Sequence, residues 1–491
     1  MKKSKLLVLS ILTALLVLLF SACSAQDNNG GTAGSGDSDI DAPGESELTE
    51  PQEDSVFANL PEGNFNGHVF RVLNNQSNFA LTLFDSEEIT GNILEDAIFN
   101  RNRRVEAALN IEIVEISESW ANITTLIRNS VNAGDDNYDI FFNEAYLVSP
   151  LALQGMLVDI NDVPGINLDK PWWDNGSIAA YTVRNRLYFV NGELHLMGHE
   201  SVLPVMFNKN LAQDYSLDNI YDLVNNGQWT LDRFYDMMRA VVADLDGDGV
   251  ITGFDQFGAT THDGMFTGFF VSMGENIMRT DNDGMPYLVP FTERSVEVYN
   301  RLIEVMTDGT VVARGSVTPN ITPDDGGNSW HDIFISGRSL FYLEYLGSAR
   351  KLRAMEQNFG IVPFPKFNEA QPDYIAYVGA LAAVLAIPVT NSDLERTSII
   401  LENINAESYR SVRPAYYDIM LHGQTIRDEE SGEMLDLIFD RRTYEFGAIF
   451  SFPIVGTLNT NLAQGRPEIA STMERQRERT EIQIENNFGD W

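Results

Sequence analysis

The sequence predicts an α/β protein of two lobes. Three observations lead there. Segments with strand-like character alternate with amphipathic helical segments between His68 and Phe142, the pattern of a largely parallel sheet covered by helices. The 491 residues, less the 22 that precede Cys23, leave 469, too many for one hydrophobic core. A mainly helical stretch then separates this first region from strand-like segments that return at Phe359–Pro363 and Leu381–Pro388.

The chain starts with Lys2, Lys3 and Lys5, continues with 15 mostly apolar residues from Leu6 to Phe20, and reaches Cys23 through Ser21 and Ala22. Basic, apolar, then small is the order of a bacterial export signal, and the apolar run is shorter than the ~20 residues of a membrane-spanning helix. Phe20-Ser21-Ala22-Cys23 resembles the lipobox of a lipoprotein signal, with Phe20 where leucine is usual. That resemblance implies cleavage before Cys23, lipid on its thiol, and a protein held at the membrane facing outside the cell. Residues 23–58 are Gly, Ser, Asp, Asn, Glu and Pro with little to bury, the composition of a disordered tether.

Within the body, His68–Leu73, Ile111–Ile116, Tyr138–Phe142, Met156–Ile160 and Arg186–Val190 read as strands. Ile93–Leu109 and Ile123–Val131 read as helices. Leu231, Phe234, Met237, Met238, Val241 and Val242 recur at helical spacing, with Thr230 as the N-cap and Trp229 in the core beneath it. Further helices are expected over Glu293–Met306, Ser392–Asn405 and Met473–Asn486. The expected division is 59–200 with 358–405 in the N-terminal lobe, and 201–357 with 406–491 in the C-terminal lobe.

Charge and cysteine usage exclude several function classes. A net charge of −38 makes the chain a poor nucleic-acid partner, since such binding rests on clustered Lys and Arg. It also repels anionic lipid, so membrane attachment would depend on the lipid at Cys23. With one cysteine no internal disulfide can form, and stability must come from core packing, to which a bound metal can add. No glycine-elbow serine, phosphate loop or cysteine nucleophile is present. His195 and His199 stand four apart, but neighbouring Gly192 and Gly198 argue against the helix a zinc pair would need. Carboxylates are too plentiful for counting to exclude a glycosidase pair, but that abundance is what the composition already predicts, and no enzyme activity is expected.

Asp244, Asp246 and Asp248, then Gly249, Val250, Thr252 and Asp255, match a calcium loop: oxygen ligands at alternate positions, a glycine for the tight turn, and a final carboxylate. The glycines that follow argue against an exit helix, so the expectation is a lone structural Ca2+ loop at 244–255.

Several segments taken together resemble the extracellular solute-binding proteins of ABC importers, the sugar and oligosaccharide type. They are Tyr138-Asp-Ile-Phe-Phe142, Leu153 to Ile160, Glu200 to Lys209, Gly227 to Asp232, Phe334 to Phe341 around Gly337, Gly360 to Pro365, and Val378-Gly-Ala380. The likeness spans about residues 66 to 465 and rests on order, not on one strong motif. A calcium loop in this place recurs in family members from Gram-positive bacteria. The resemblance implies a type II periplasmic-binding-protein-like fold, lobes joined by crossing strands, that closes over a carbohydrate and hands it to permease subunits, as a monomer. The ligand-binding candidates it suggests are Trp172, Trp173 and Asp174 before the first crossover, Glu144 and Tyr146 after a strand end, His199 and Glu200 at the crossover, and Tyr345 from the second lobe, with Trp330 and Tyr377 as weaker ones. Trp120 is assigned to core or surface. The alternatives are a lipid-anchored enzyme acting on polysaccharide with a carboxylate pair, and a ligand-sensing lipoprotein.

Overall fold

The computed structural model describes residues 56–491 apart from positions 58, 78–79, 323–326, 423–428 and 490. Cys23, the export segment and nearly all of the 23–58 tether therefore lie outside the described residues. Fourteen strands are present in the described part. In chain order they are β1 His68–Gln76, β2 Ile111–Ser119, β3 Ile140–Glu144, β4 Phe189–Val190, β5 Pro204–Asn208, β6 Phe257–Thr260 and β7 Met278–Thr280. They continue with β8 Pro286–Leu288, β9 Val312–Ala313, β10 Ser339–Tyr342, β11 Phe359–Pro363, β12 Ala376–Val378, β13 Ala383–Ala386 and β14 Arg442–Tyr444.

Two five-stranded sheets form the two lobes. The first has the order β2-β1-β3-β13-β4 and the second β11-β5-β10-β6-β9. β1, β2 and β3 run parallel, as the βα alternation requires, while β13 enters antiparallel between β3 and β4. The second sheet repeats the plan: β6, β9 and β10 are parallel, and β5 enters antiparallel between β10 and β11. In each lobe the antiparallel strand is the one that arrives just after the chain has crossed from the other lobe.

The helices follow their sequence signals. Asn92 caps Ile93–Leu109 by accepting the N–H groups of Leu94 and Glu95. Thr230 caps Leu231–Ala240 through the Arg233 N–H, and Leu231, Phe234, Met237 and Met238 form its buried face. At about 1.5–3 kcal/mol for each such side chain, that face outweighs any intrinsic helix propensity. Trp229 is fully buried and donates its indole N–H to the Pro363 carbonyl at 2.9 Å, in agreement with the core placement.

The structure departs from the expected course at three places. Met156–Ile160 is no strand; it makes a single bridge, Leu157 to Pro388, and leads into a short turn of helix at Ile160–Asp162. β11 pairs with β5, so Phe359–Pro363 belongs to the second lobe and not to the N-terminal lobe assigned from 358 onward. Segment Ser408–His422 packs on Ile93–Leu109 and so belongs to the first lobe, not to the C-terminal lobe assigned from 406 onward. For β11 the physical reason is burial: all five of its residues are buried, and an apolar run cannot say which of two similar sheets it joins.

Gly258 marks how closely layers approach. A Cβ there would sit 2.4 Å from Met238 Cβ and 2.6 Å from its Cα, against the helix that covers β6. Gly258→Ala is expected to destabilise the protein by about 1–3 kcal/mol through overpacking, read as a lower urea midpoint at unchanged m-value.

Candidate functional site

A cavity of about 680 Å³ lies between the two lobes. Its walls come from the carboxyl ends of strands, the position where open α/β sheets bind ligands. Tyr146 follows β3, His262 follows β6, and Glu344 with Tyr345 follows β10. β12 contributes Tyr377 from the crossing segment, and Phe452 and Asn459 come from the C-terminal region.

Local signals place the second-lobe groups. Ser329 caps Trp330–Ile335 in a capping box, accepting the Asp332 N–H while the Asp332 carboxylate takes the Ser329 N–H at 2.8 Å. This holds Trp330 in the first helical turn, with its ring 5.4 Å from His262 and 5.0 Å from His331. The Trp330 indole N–H is buried and has no hydrogen-bond partner among the described residues. A buried donor left unmet carries a desolvation cost.

The polar groups are ordered by one another. Glu344 is buried, with one oxygen 3.2 Å from His262 Nε2 and the other accepting the Tyr345 N–H at 2.9 Å. Burial pushes its carboxyl up, but the contact with His262 and the backbone bond win and hold it below the usual carboxylate range. Lys351 Nζ lies 3.0 Å from His331 Nε2, while His331 Nδ1 bonds the Tyr342 hydroxyl. An ammonium only donates, so Nε2 accepts and the ring proton sits on Nδ1. On the opposite wall, burial and then the neighbouring Glu144 raise the Tyr146 phenol, which stays a neutral donor. Glu144 stands behind it, buried at the end of β3, its own carboxyl raised by burial. Aromatic faces from both lobes thus enclose a ring of hydrogen-bonding groups.

Of the ligand candidates, Tyr146 and Tyr345 line this cavity, as do Trp330 and Tyr377. The tryptophan pair does not. Trp172 and Trp173 are buried and donate their indole N–H groups to the Glu402 carboxylate at 2.8 and 3.1 Å. Asp174 caps Asn175–Tyr181 through the Ser177 N–H and holds Arg442 and the Tyr444 hydroxyl, each at 2.9 Å. His199 is buried against Glu193 at 2.9 Å. Glu200 is fully buried, accepts the Leu81 N–H and pairs with Arg350. These five residues tie elements together inside the protein and do not face the cavity. His262, His331, Glu344 and Lys351 carry no motif that singles them out; Glu344 was within reach as the neighbour of Tyr345 at the same strand end. Trp120 is 44% exposed on the surface.

The calcium-loop residues partly converge. Carboxylate oxygens of Asp244, Asp246 and Asp255 lie within 4.8 Å of one another. Asp255 is fully buried and is oriented by the N–H groups of Leu245 and Thr252, each at 2.8 Å. The N–H groups of Gly249 and Gly247 hold the Asp244 carboxyl below its usual range. Asp248 departs from the expectation, since its carboxylate accepts the Val250 N–H at 2.7 Å and is not among the convergent oxygens. Thr252 directs its hydroxyl to Asp255 at 3.3 Å. Three convergent carboxylates are the donor chemistry a hard cation takes.

No protein-family model and no curated protein matches the sequence. Solved structures do match. The cyclic α-maltosyl-1,6-maltose binding protein of Arthrobacter globiformis aligns with a TM-score of 0.57 at 14% identity, covering 86% of this chain and 100% of that one. An ABC substrate-binding protein of Listeria monocytogenes in complex with cycloalternan aligns at 0.51 and 13%, covering 86% and 99%. UgpB from Mycobacterium tuberculosis in complex with glycerophosphocholine aligns at 0.53 and 15%, covering 85% and 98%. The chain therefore has the two-lobed α/β fold of periplasmic binding proteins.

Proposed function

We propose that this protein is a lipid-anchored solute-binding protein that captures a carbohydrate outside the cell and delivers it to the permease of an ABC importer. The observation that carries the reading is the cavity itself. Tyr146 on one lobe and Trp330, Tyr345 and Tyr377 around the other walls offer apolar faces, and His262, Glu344, His331 and Lys351 offer polar edges. Sugars present the same two kinds of surface. The fold supports capture by lobe closure, and the structures it resembles include one solved in complex with cycloalternan. A hydrolase of the carboxylate-pair type would need two flanking carboxyls. Among the described lining residues Glu344 is the one carboxylate, and it is engaged by His262, which favours binding over hydrolysis.

Thermal scans against an oligosaccharide panel, with product analysis alongside, test this reading. A bound sugar at a hundredfold excess over Kd stabilises the folded state by about 2.7 kcal/mol. Products from any glycan, or no response to any sugar, would sink it. Trp330→Ala should weaken the bound sugar about tenfold by calorimetry, since it removes an aromatic face from the cavity wall.

We further propose that Asp244, Asp246 and Asp255, with Thr252 beside Asp255, hold a structural Ca2+. Chelation should then lower the melting temperature, and added Ca2+ should restore it. The lipid on Cys23 would keep the binder beside its transporter. In cells, Cys23→Ala should shift the protein from the membrane fraction to the medium, with sugar affinity unchanged in the purified protein.

A further inference from the structure

Glu200 ends the short helix Met197–Glu200, directly before the first crossover. It has no solvent exposure, yet no role in the cavity. One oxygen of its carboxylate accepts the Leu81 N–H, in the connection after β1 of the first lobe. The other meets the Arg350 guanidinium, whose side chain is 21% exposed. Arg350 belongs to Leu346–Ala354, a segment of the second lobe between β10 and β11. That segment is also cavity wall: Tyr345 precedes it, and Ser348 and Lys351 lie on it. Its first N–H, from Leu346, bonds the Val202 carbonyl of the crossover at 2.9 Å.

We propose that Glu200 and Arg350 form a clasp that positions the Leu346–Ala354 wall of the cavity against the first lobe. A carboxylate buried this completely must keep its partners, because an unpaired one is far more costly than an exposed charge. The pair therefore acts through position, not through contact with ligand. Arg350 cannot leave without exposing or stranding Glu200, so the wall stays where Tyr146 and Tyr345 can act on one ligand. Losing the clasp lowers the fraction of molecules with both walls in place, and the apparent Kd rises by the inverse of that fraction.

The test uses the full chain carrying Cys23→Ser, with spin labels at Thr125→Cys on the first lobe and Asp236→Cys on the second. Pulsed distance measurement on the ligand-free parent should give one narrow distribution. Glu200→Gln and Arg350→Gln should each broaden or lengthen it, and Arg350→Lys, which keeps the charge, should restore it. This arm needs no ligand. The affinity arm rests on the carbohydrate reading: with the sugar found by the panel, both Gln variants should bind roughly tenfold more weakly if the competent fraction falls to about a tenth. Saturating sugar should bring their distances to that of the sugar-bound parent. Folded Gln variants with parental distances would overturn the clasp, whatever the panel shows. So would failure of both Gln variants to fold, which would make the pair a folding requirement. If only Arg350→Gln fails to fold, Glu200→Gln, which keeps an acceptor for Leu81, decides. If no sugar binds while the distances shift, the clasp stands and the carbohydrate reading falls.

Discussion

Two extended segments cross between the lobes, and the rest of the molecule depends on the way they are joined. Ser201–Leu203 enters the second lobe and Tyr377–Gly379 returns from it. The Leu203 N–H donates to the Tyr377 carbonyl at 2.8 Å, the Gly379 N–H to the Ser201 carbonyl at 2.9 Å, and Val202 bridges Val378. Each bond contributes only about 1 kcal/mol net. Together they lock the relative register of β5 and β13, the antiparallel strands that each crossover delivers to its sheet. The strand ends that carry the cavity-lining groups are set from there. Tyr377 lies in this junction and in the cavity at once, so the floor of the site and the joint between the lobes are the same piece of backbone.

The second organising feature is how a chain with 71 acidic and 33 basic residues uses its carboxylates. Among the described residues most are at least partly exposed, but a few are buried at joints, where several donors gather on one carboxylate. Glu402 receives Trp172, Trp173 and the Asn167 N–H. Glu445 receives three backbone N–H groups from Ile277, Met278 and Gly447, and burial still pushes its carboxyl up to about 7. Asp139 holds Arg71 through both the backbone and the guanidinium. A buried carboxylate offers about four acceptor positions, so one residue can gather donors from segments far apart in sequence. With no disulfide within the folded body, this is a cross-link made of hydrogen bonds.

That same chemistry explains where reading the sequence misled. Trp172-Trp173-Asp174 and His199-Glu200 look like ligand clusters, because dense aromatic and carboxylate residues are what a sugar site needs. They are equally what a buried joint needs. Only the positions of Glu402 and Arg350, distant in sequence, and of Glu193, six residues before His199, show that these groups are already committed. Tyr146 and Tyr345 were identifiable for a different reason. Each follows a strand end, and in a parallel sheet the strand end is the ligand side whatever the neighbours are.

What the sequence by itself determined is local: the amphipathic faces, the Thr230 cap, the βα alternation that makes the sheet parallel, and the convergence of Asp244, Asp246 and Asp255 around Gly249. These depend on residues within one or two turns of each other, where spacing dictates geometry. The lobe to which β11 and Ser408–His422 belong, the meeting of His262 with Glu344 and of His331 with Lys351, and the engagement of Glu200 by Arg350 were decided only in the tertiary structure. They join residues 20 to 150 positions apart, or choose between two sheets of equal apolarity. No local pattern encodes that choice; the crossover at Ser201–Leu203 and Tyr377–Gly379 makes it, by setting which surfaces face each other.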